Sequence, residues 1–320
     1  MKYVTLKDTE LNLSALCCGT GNFKERLSED AAFEMLNLYL RMGGNFIDTA
    51  NVYCRWLPDT TNCAEQFIGE WLRRTGNRSR VYLATKGGHP SLQTGKNRVN
   101  RADLARDLDE SLAAMGVDYV DFYWLHRDNA ALPIEEVISF GEEFVRQGKV
   151  RYYGASNFTL PRMQQAVEWK KRHPGRGFSA LCNQWSLACP NPGYKLNGDQ
   201  TLEGVDGAYY HWILENDIPL IPYSATAGGY FGKAAAGTVT PALEKAYGNT
   251  RSRTLSELLQ PMAERYHTTP LCLSLAILMQ QNFQVIPVTA ASTPEQLAES
   301  MKAGDLTLLP EDVTLLNKFF

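Results

Sequence analysis

Val81-Tyr82-Leu83-Ala84-Thr85-Lys86, then an amphipathic stretch at 101–115, then Asp121-Phe122-Tyr123-Trp124-Leu125-His126: this succession decides the fold. Short apolar runs rich in Val, Tyr and Phe fit strands, and the longer amphipathic stretch between them fits a helix, so the unit is a repeated βα pair. The same alternation runs outward in both directions. Strands are expected at 15–20, 45–50, 81–86, 119–126, 150–157, 180–186, 219–225 and 284–288. Helices are expected at 28–42, 63–74, 101–115, 134–147, 161–173, 207–216, 253–266, 270–281 and 294–303. Ser28 before Glu29-Asp30, Thr159 ahead of Pro161, and Ser292 or Thr293 before Pro294-Glu295 are helix-start signals. Eight alternations without a shift of composition predict one closed (β/α)8 TIM barrel spanning 1–320, not an open sheet with a second domain. Tyr3–Leu13, with polar Asp8-Thr9 at its centre, predicts an N-terminal β-hairpin ahead of the barrel. The Gly/Ala-rich stretch 227–237 reads as a long loop and a ligand lid.

The bulk composition narrows the function classes. With 44% hydrophobic and 21% charged residues, the chain has the material for a large globular core. A net charge of −3 and no Lys/Arg run leave no footprint for a phosphate backbone, so nucleic acid is not an expected partner. No uninterrupted apolar stretch approaches the ~20 residues of a membrane span, and Met1-Lys2-Tyr3-Val4-Thr5-Leu6-Lys7 lacks the apolar core of a signal peptide. The expectation is a cytoplasmic protein with no membrane partner. Seven cysteines, an odd number without a Cys-x-x-Cys pair or zinc-type His/Cys spacing, fit reduced thiols and no metal. Cys17 and Cys18 read as small core residues, and Cys54 as buried and inert.

Three apolar runs end abruptly in an ionisable residue: Asn45-Phe46-Ile47-Asp48, Val81 to Lys86, and Asp121 to His126. Singly, an Asp there is a cap, a Lys a solvated end and a His a core residue. Barrel enzymes, however, place their working groups at the C-terminal ends of their strands. Three such endings on consecutive strands, with Tyr53 in the loop just past Asp48, point to one mouth.

Asn45-Phe46-Ile47-Asp48-Thr49-Ala50-Asn51-Val52-Tyr53, Ala84-Thr85-Lys86, Met115-Gly116-Val117-Asp118-Tyr119-Val120-Asp121 through Leu125-His126, and Gly148-Lys149-Val150-Arg151 to Gly154-Ala155-Ser156-Asn157-Phe158 resemble, in order, segments of the aldo-keto reductase family. The resemblance implies a catalytic tetrad of Asp48, Tyr53, Lys86 and His126. It implies a nicotinamide cofactor held by Ser156, Asn157 and Gln184 at the carboxamide and by Tyr223 against the ring, with Ser224 meeting the pyrophosphate. The chemistry is coherent without it. Hydride addition to a carbonyl places negative charge on oxygen, which calls for a proton donor and a stabilising field. Tyr53 can donate, with Lys86 expected to lower its pKa and Asp48 to keep Lys86 charged; His126, expected to act neutral, aims the carbonyl. The implied activity is reduction of a small-molecule aldehyde or ketone.

No Gly-x-Gly-x-x-Gly follows the first strand, so a dinucleotide is not held in the Rossmann manner. Family members that prefer the phosphorylated cofactor carry basic residues just after the last strand, but no Lys or Arg occurs from 285 to 301. Thr289 and Ser292 hydroxyls and Gln296 are the neutral candidates there, so NADP(H) is expected with NAD(H) also accepted. Asn22, Phe23, Trp56, His89 and Arg127 are candidates for the substrate wall. Two alternative classes stand beside this reading: a cofactor-binding regulatory or partner protein with little turnover, and a barrel of other chemistry.

Overall fold

In the computed structural model, which describes residues 1–320, an antiparallel hairpin of β1 (Tyr3–Thr5) and β2 (Asn12–Ser14) opens the chain. Strands and helices then alternate: β3 (Cys17–Gly19), α1 (Glu29–Arg41), β4 (Phe46–Asp48), α2 (Cys63–Thr75), β5 (Tyr82–Gly87), α3 (Arg101–Met115), β6 (Val120–Leu125) and α4 (Ile134–Arg146). They continue as β7 (Val150–Ser156), α5 (Leu160–Arg172), β8 (Leu181–Cys182), α6 (Gly207–Asn216), α7 (Tyr230–Ala235), α8 (Pro241–Tyr247), α9 (Thr250–Arg265) and α10 (Pro270–Met279). β9 (Val288–Thr289), α11 (Pro294–Lys302) and α12 (Pro310–Asn317) complete the chain.

Seven parallel strands lie in the order β8-β7-β6-β5-β4-β3-β9. The segment 219–223 bridges the two edges: Ile221 N donates to Leu181 O at 2.8 Å, Ile286 N to Leu220 O at 3.0 Å and Val288 N to Pro222 O at 2.9 Å. The sheet therefore curls into the barrel that the alternation predicts. Pro219 and Pro222 have no N–H to donate, so this eighth wall is made of isolated bridges and not a regular ladder.

Period-two alternation along the strands sorts side chains between two cores. Phe46, Ala84, Phe122, Trp124, Cys182, Ile221, Ile286 and Val288 point inward and form one buried cluster, which Leu6, Leu11 and Leu13 of the hairpin close from below. Ile47, Leu83, Tyr123, Leu125 and Ala155 point outward into the cluster shared with the helices. Gly154 stands at an inward position, where a Cβ would lie 2.6 Å from the Trp124 ring and 2.5 Å from Ala180 O, so the missing side chain makes room for the indole.

The structure departs from expectation mainly after 225. The stretch 227–237 is not a free lid: Gly228 and Gly229, at φ +64° and +79°, turn the chain into α7, whose Tyr230 and Phe231 are buried. α8 also falls where no element is expected, and α9 starts earlier than expected because Asn249 Oδ1 accepts from Ser252 N at 2.9 Å. α12 is also unanticipated; its buried Asp312 anchors it through Arg265, at 2.6 Å, and Tyr266. Ser28 and Thr293 cap α1 and α11 as read, whereas the Thr159 side chain makes no cap bond. All seven cysteines are free.

Candidate active site

The alternation that fills the barrel also delivers its polar groups. Two residues beyond inward Phe46, Ala84, Trp124, Gly154, Cys182 and Ile221 stand Asp48, Lys86, His126, Ser156, Gln184 and Tyr223. They are the last inward positions of six neighbouring walls, so they converge at the C-terminal mouth. Asp48, Lys86 and His126 are all nearly buried, at 2%, 3% and 7% exposure.

Lys86 Nζ bonds the Asp48 carboxylate, donates to Thr49 O at 2.7 Å and reaches Tyr53 Oη at 3.3 Å. Asp48 also accepts from Trp124 Nε1 at 3.1 Å. Burial alone would drive the ammonium neutral, but the Asp48 carboxylate overrides it and holds the Lys86 pKa above its ordinary value. The sequence expectation for Tyr53 needs correction. Burial pushes the phenol above its usual pKa, and Lys86 only offsets part of that rise, with Asp48 adding to it. Tyr53 is a protonated phenol at neutral pH.

His126 lies edge-on to Tyr53, with ring centroids 6.3 Å apart, and edge-on to His89 at 5.1 Å. Burial, then the Arg127 guanidinium, the neighbouring His89 and the Lys86 ammonium, put its pKa well below the ordinary imidazole value, so it is neutral as expected. His89 Nδ1 lies 2.8 Å from Pro90 O, and its pKa is pushed down to about 4 by burial and Arg127. Cys54 Sγ bonds Phe23 O at 3.3 Å, and burial raises its thiol to about 11, which disfavours the reactive thiolate.

Ser156 Oγ donates to Cys182 O at 3.0 Å. Asn157, in a left-handed conformation at φ +60°, uses its whole amide: Nδ2 donates to His126 O at 3.1 Å and Ser156 Oγ at 3.1 Å, and Oδ1 accepts from Glu203 N at 3.1 Å and Tyr223 Oη at 2.7 Å. Gln184 Nε2 donates to Tyr247 Oη at 3.2 Å. Ser224 is also left-handed, at φ +54°, and such backbone strain collects at functional sites. Thr289 Oγ1 and Asn22 Oδ1 are buried polar atoms with no partner, and Asn22 Nδ2 donates to Ala291 O at 2.6 Å beside Ser292. Gln296 turns back to accept from Ser292 N at 2.9 Å, so its amide caps α11.

The five wall candidates separate. Trp56 is 45% exposed, lies edge-on to Tyr53 at 6.0 Å and donates to Glu25 Oε2 at 3.2 Å. Asn22 and half-buried His89 also border the mouth, whereas the Phe23 side chain is sunk in the core at 2% exposure. Arg127 is 4% exposed and its guanidinium is consumed by protein partners, so it does not offer a free charge to a ligand. Sequence reasoning missed Trp124, although its place two residues before His126 was the available signal. It also missed Asp199, Thr201 and Glu203, whose distant loop position carries no local signal.

Comparison with known proteins identifies the family. The family model described as Aldo/keto reductase family matches residues 15–319. An aryl-alcohol dehydrogenase of Pestalotiopsis microspora is 28% identical over 96% of this chain and 79% of its own length. The oxidoreductase YrpG of Bacillus subtilis is 28% identical over 100% of this chain and 96% of its own. The tas protein of Escherichia coli is 25% identical over 98% and 95%. The crystal structure of a thermostable aldo-keto reductase bound to the inhibitor epalrestat superimposes with a TM-score of 0.72 at 23% identity, covering 100% of both chains, and shares the fold. The chain therefore belongs to the aldo/keto reductase family.

Proposed function

We propose that this chain is a cytoplasmic, single-domain NADP(H)-dependent reductase of small aldehydes and ketones, with Tyr53 as the proton donor. One observation carries the reading: a buried, protonated phenol stands 3.3 Å from an ammonium that a buried carboxylate keeps charged. When bound, the reduced nicotinamide supplies the hydride that adds to the carbonyl carbon. Tyr53 Oη holds the proton that the developing alkoxide takes, and Lys86 stabilises the phenolate left behind. Asp48 fixes Lys86 in place, and neutral His126 meets the carbonyl oxygen as a hydrogen-bond partner without adding a second cation.

The polar groups of the mouth fit a dinucleotide. Ser156 and Gln184 suit the carboxamide, with Asn157, whose amide is taken up by protein partners, bracing Ser156 and Tyr223; Tyr223 suits the ring face, and Ser224, Thr289 and Ser292 the phosphates and ribose. The unpartnered Thr289 Oγ1 supports this assignment, because a buried hydroxyl without a partner is costly. Gln296, engaged with Ser292, supports α11 from behind. Trp56, Asn22 and His89 form the wall that a small carbonyl compound meets. The test is to follow the absorbance of NADPH and NADH with a panel of aldehydes and ketones. Turnover of several carbonyls is expected; tight cofactor binding with no turnover on any of them would instead favour a regulatory protein.

A further inference from the structure

Arg127 follows His126 directly and is spent on protein. Its Nη1 donates to His126 O at 2.7 Å, its Nη2 to Asp199 Oδ2 at 2.7 Å and its Nε to Thr201 Oγ1 at 2.6 Å. Asp199 and Thr201 begin a segment that is stitched across the mouth. Glu203 N donates to Asn157 Oδ1 at 3.1 Å, and Glu203 O accepts from Gln184 N at 2.9 Å. Val205 N returns to Gln184 O at 2.9 Å. The His126 carbonyl thus receives two donors, Arg127 Nη1 and Asn157 Nδ2, and both donor side chains are fastened to the segment 199–205.

The His126 ring, by contrast, has no such anchor. Its Nδ1 is buried and without a partner, whereas a working imidazole is commonly oriented through the nitrogen it does not use. The orientation of this ring therefore comes from its backbone clamp and from the flanking rings of Tyr53 and His89.

We infer that Arg127 is a positioning residue, whose planar guanidinium fastens His126 to the segment 199–205 and so sets where the imidazole meets the carbonyl. The inference rests on the role given to His126 above. A rigid fork suits the task, because three bonds in one plane fix both the strand end and the loop, which a lysine cannot do. The titratable groups that face the imidazole are Tyr53, His89, Arg127 and Lys86, and burial first, then the Arg127 charge, keeps it uncharged. Asp199, whose carboxylate lies 2.7 Å from Arg127 Nη2, ties down that guanidinium.

The test uses the full chain with Arg127→Lys, Arg127→Gln and Asp199→Asn. Two readouts are taken: kcat and KM on one aldehyde, and the imidazole titration by NMR, which five histidines keep resolvable. Small displacements of catalytic groups cost up to about 100-fold, so Arg127→Lys is expected to lower kcat by roughly 10- to 100-fold with KM for the cofactor nearly unchanged. His126 should stay neutral in that variant, whereas in Arg127→Gln its titration should move toward the ordinary range. Asp199→Asn, which keeps the guanidinium but loosens its tie, should lower kcat in the same direction. If Arg127→Gln does not fold, Arg127→Lys and Asp199→Asn decide. Wild-type kcat in both, with the His126 resonance unmoved, overturns the inference. A wild-type protein that reduces no carbonyl refutes the proposed function instead, and the His126 resonance in Arg127→Lys still reports on the clamp.

Discussion

Asp48, Lys86 and His126 are legible in the sequence because each ends an apolar run with a group that a buried strand would not otherwise carry. What could not be read there is how burial weighs against charge at Tyr53. Lys86 does act on the phenol, yet the desolvation of a closed mouth outweighs it, and desolvation depends on every neighbour rather than on spacing. Arg127 is the second example: its main partner, Asp199, lies 72 residues away, so a residue that reads as a free cation at the mouth is an internal tie. The buried pair yields a residue-scale prediction. Lys86→Met removes the cation that holds the buried Asp48 ionised, a break that typically costs about 3–5 kcal/mol, and it takes away the charge that offsets the burial of the neighbouring phenol, whose pKa rises further. Reduction at neutral pH should fall by at least ~100-fold, and the alkaline limb of the pH profile should move upward. A profile that superimposes on that of the wild type would contradict the Tyr53–Lys86 coupling.

The βα alternation is legible at the level of elements because a strand and a helix impose different hydrophobic periods, and each strand from Cys17 to Cys182 lies where those periods place it. The chain beyond 225 was harder to read. α7 and α8 are short, and α7 is held by two buried aromatics set among glycine and alanine, a composition that suggests a loop. Proline explains the irregular wall at 219–223, where the barrel closes with few ladder bonds. Gly154 is the element-scale test of barrel packing. Its Cβ would sit 2.6 Å from the Trp124 ring, and an added methyl group in a filled interior costs about 1–3 kcal/mol. Gly154→Ala should lower the urea midpoint accordingly, and because Trp124 holds Asp48, it should also reduce turnover. An unchanged midpoint would mean that the barrel interior is looser than described.

Two properties belong to the molecule as a whole. His89 has a pKa pushed from 6.5 down to about 4, and that of His126 is also lowered, so the unfolded chain binds protons that the folded one does not. The stability contributed by these neutral imidazoles is present above about pH 6.5 and is lost as the pH falls toward about 4. The urea midpoint should drop across that window, and less so in His89→Gln; equal slopes in the two proteins would refute the assignment. Cofactor choice is the second property. With Gln296 capping α11 and no cation from 285 to 301, NADPH should be favoured over NADH by less than ~100-fold in kcat/KM, under about 2.7 kcal/mol. A preference of ~1,000-fold or more would mean that a cation elsewhere reaches the phosphate. Arg251, whose Nε is buried without a partner, is the first to examine, since Lys233 bonds Gly228 O and Arg253 pairs with Glu244. The central claim, that this mouth reduces carbonyls through the Tyr53 proton, is tested most directly by Tyr53→Phe. Cofactor affinity should be nearly unchanged while the rate of carbonyl reduction falls by at least ~100-fold, and a variant that keeps a tenth or more of the wild-type turnover would contradict the account.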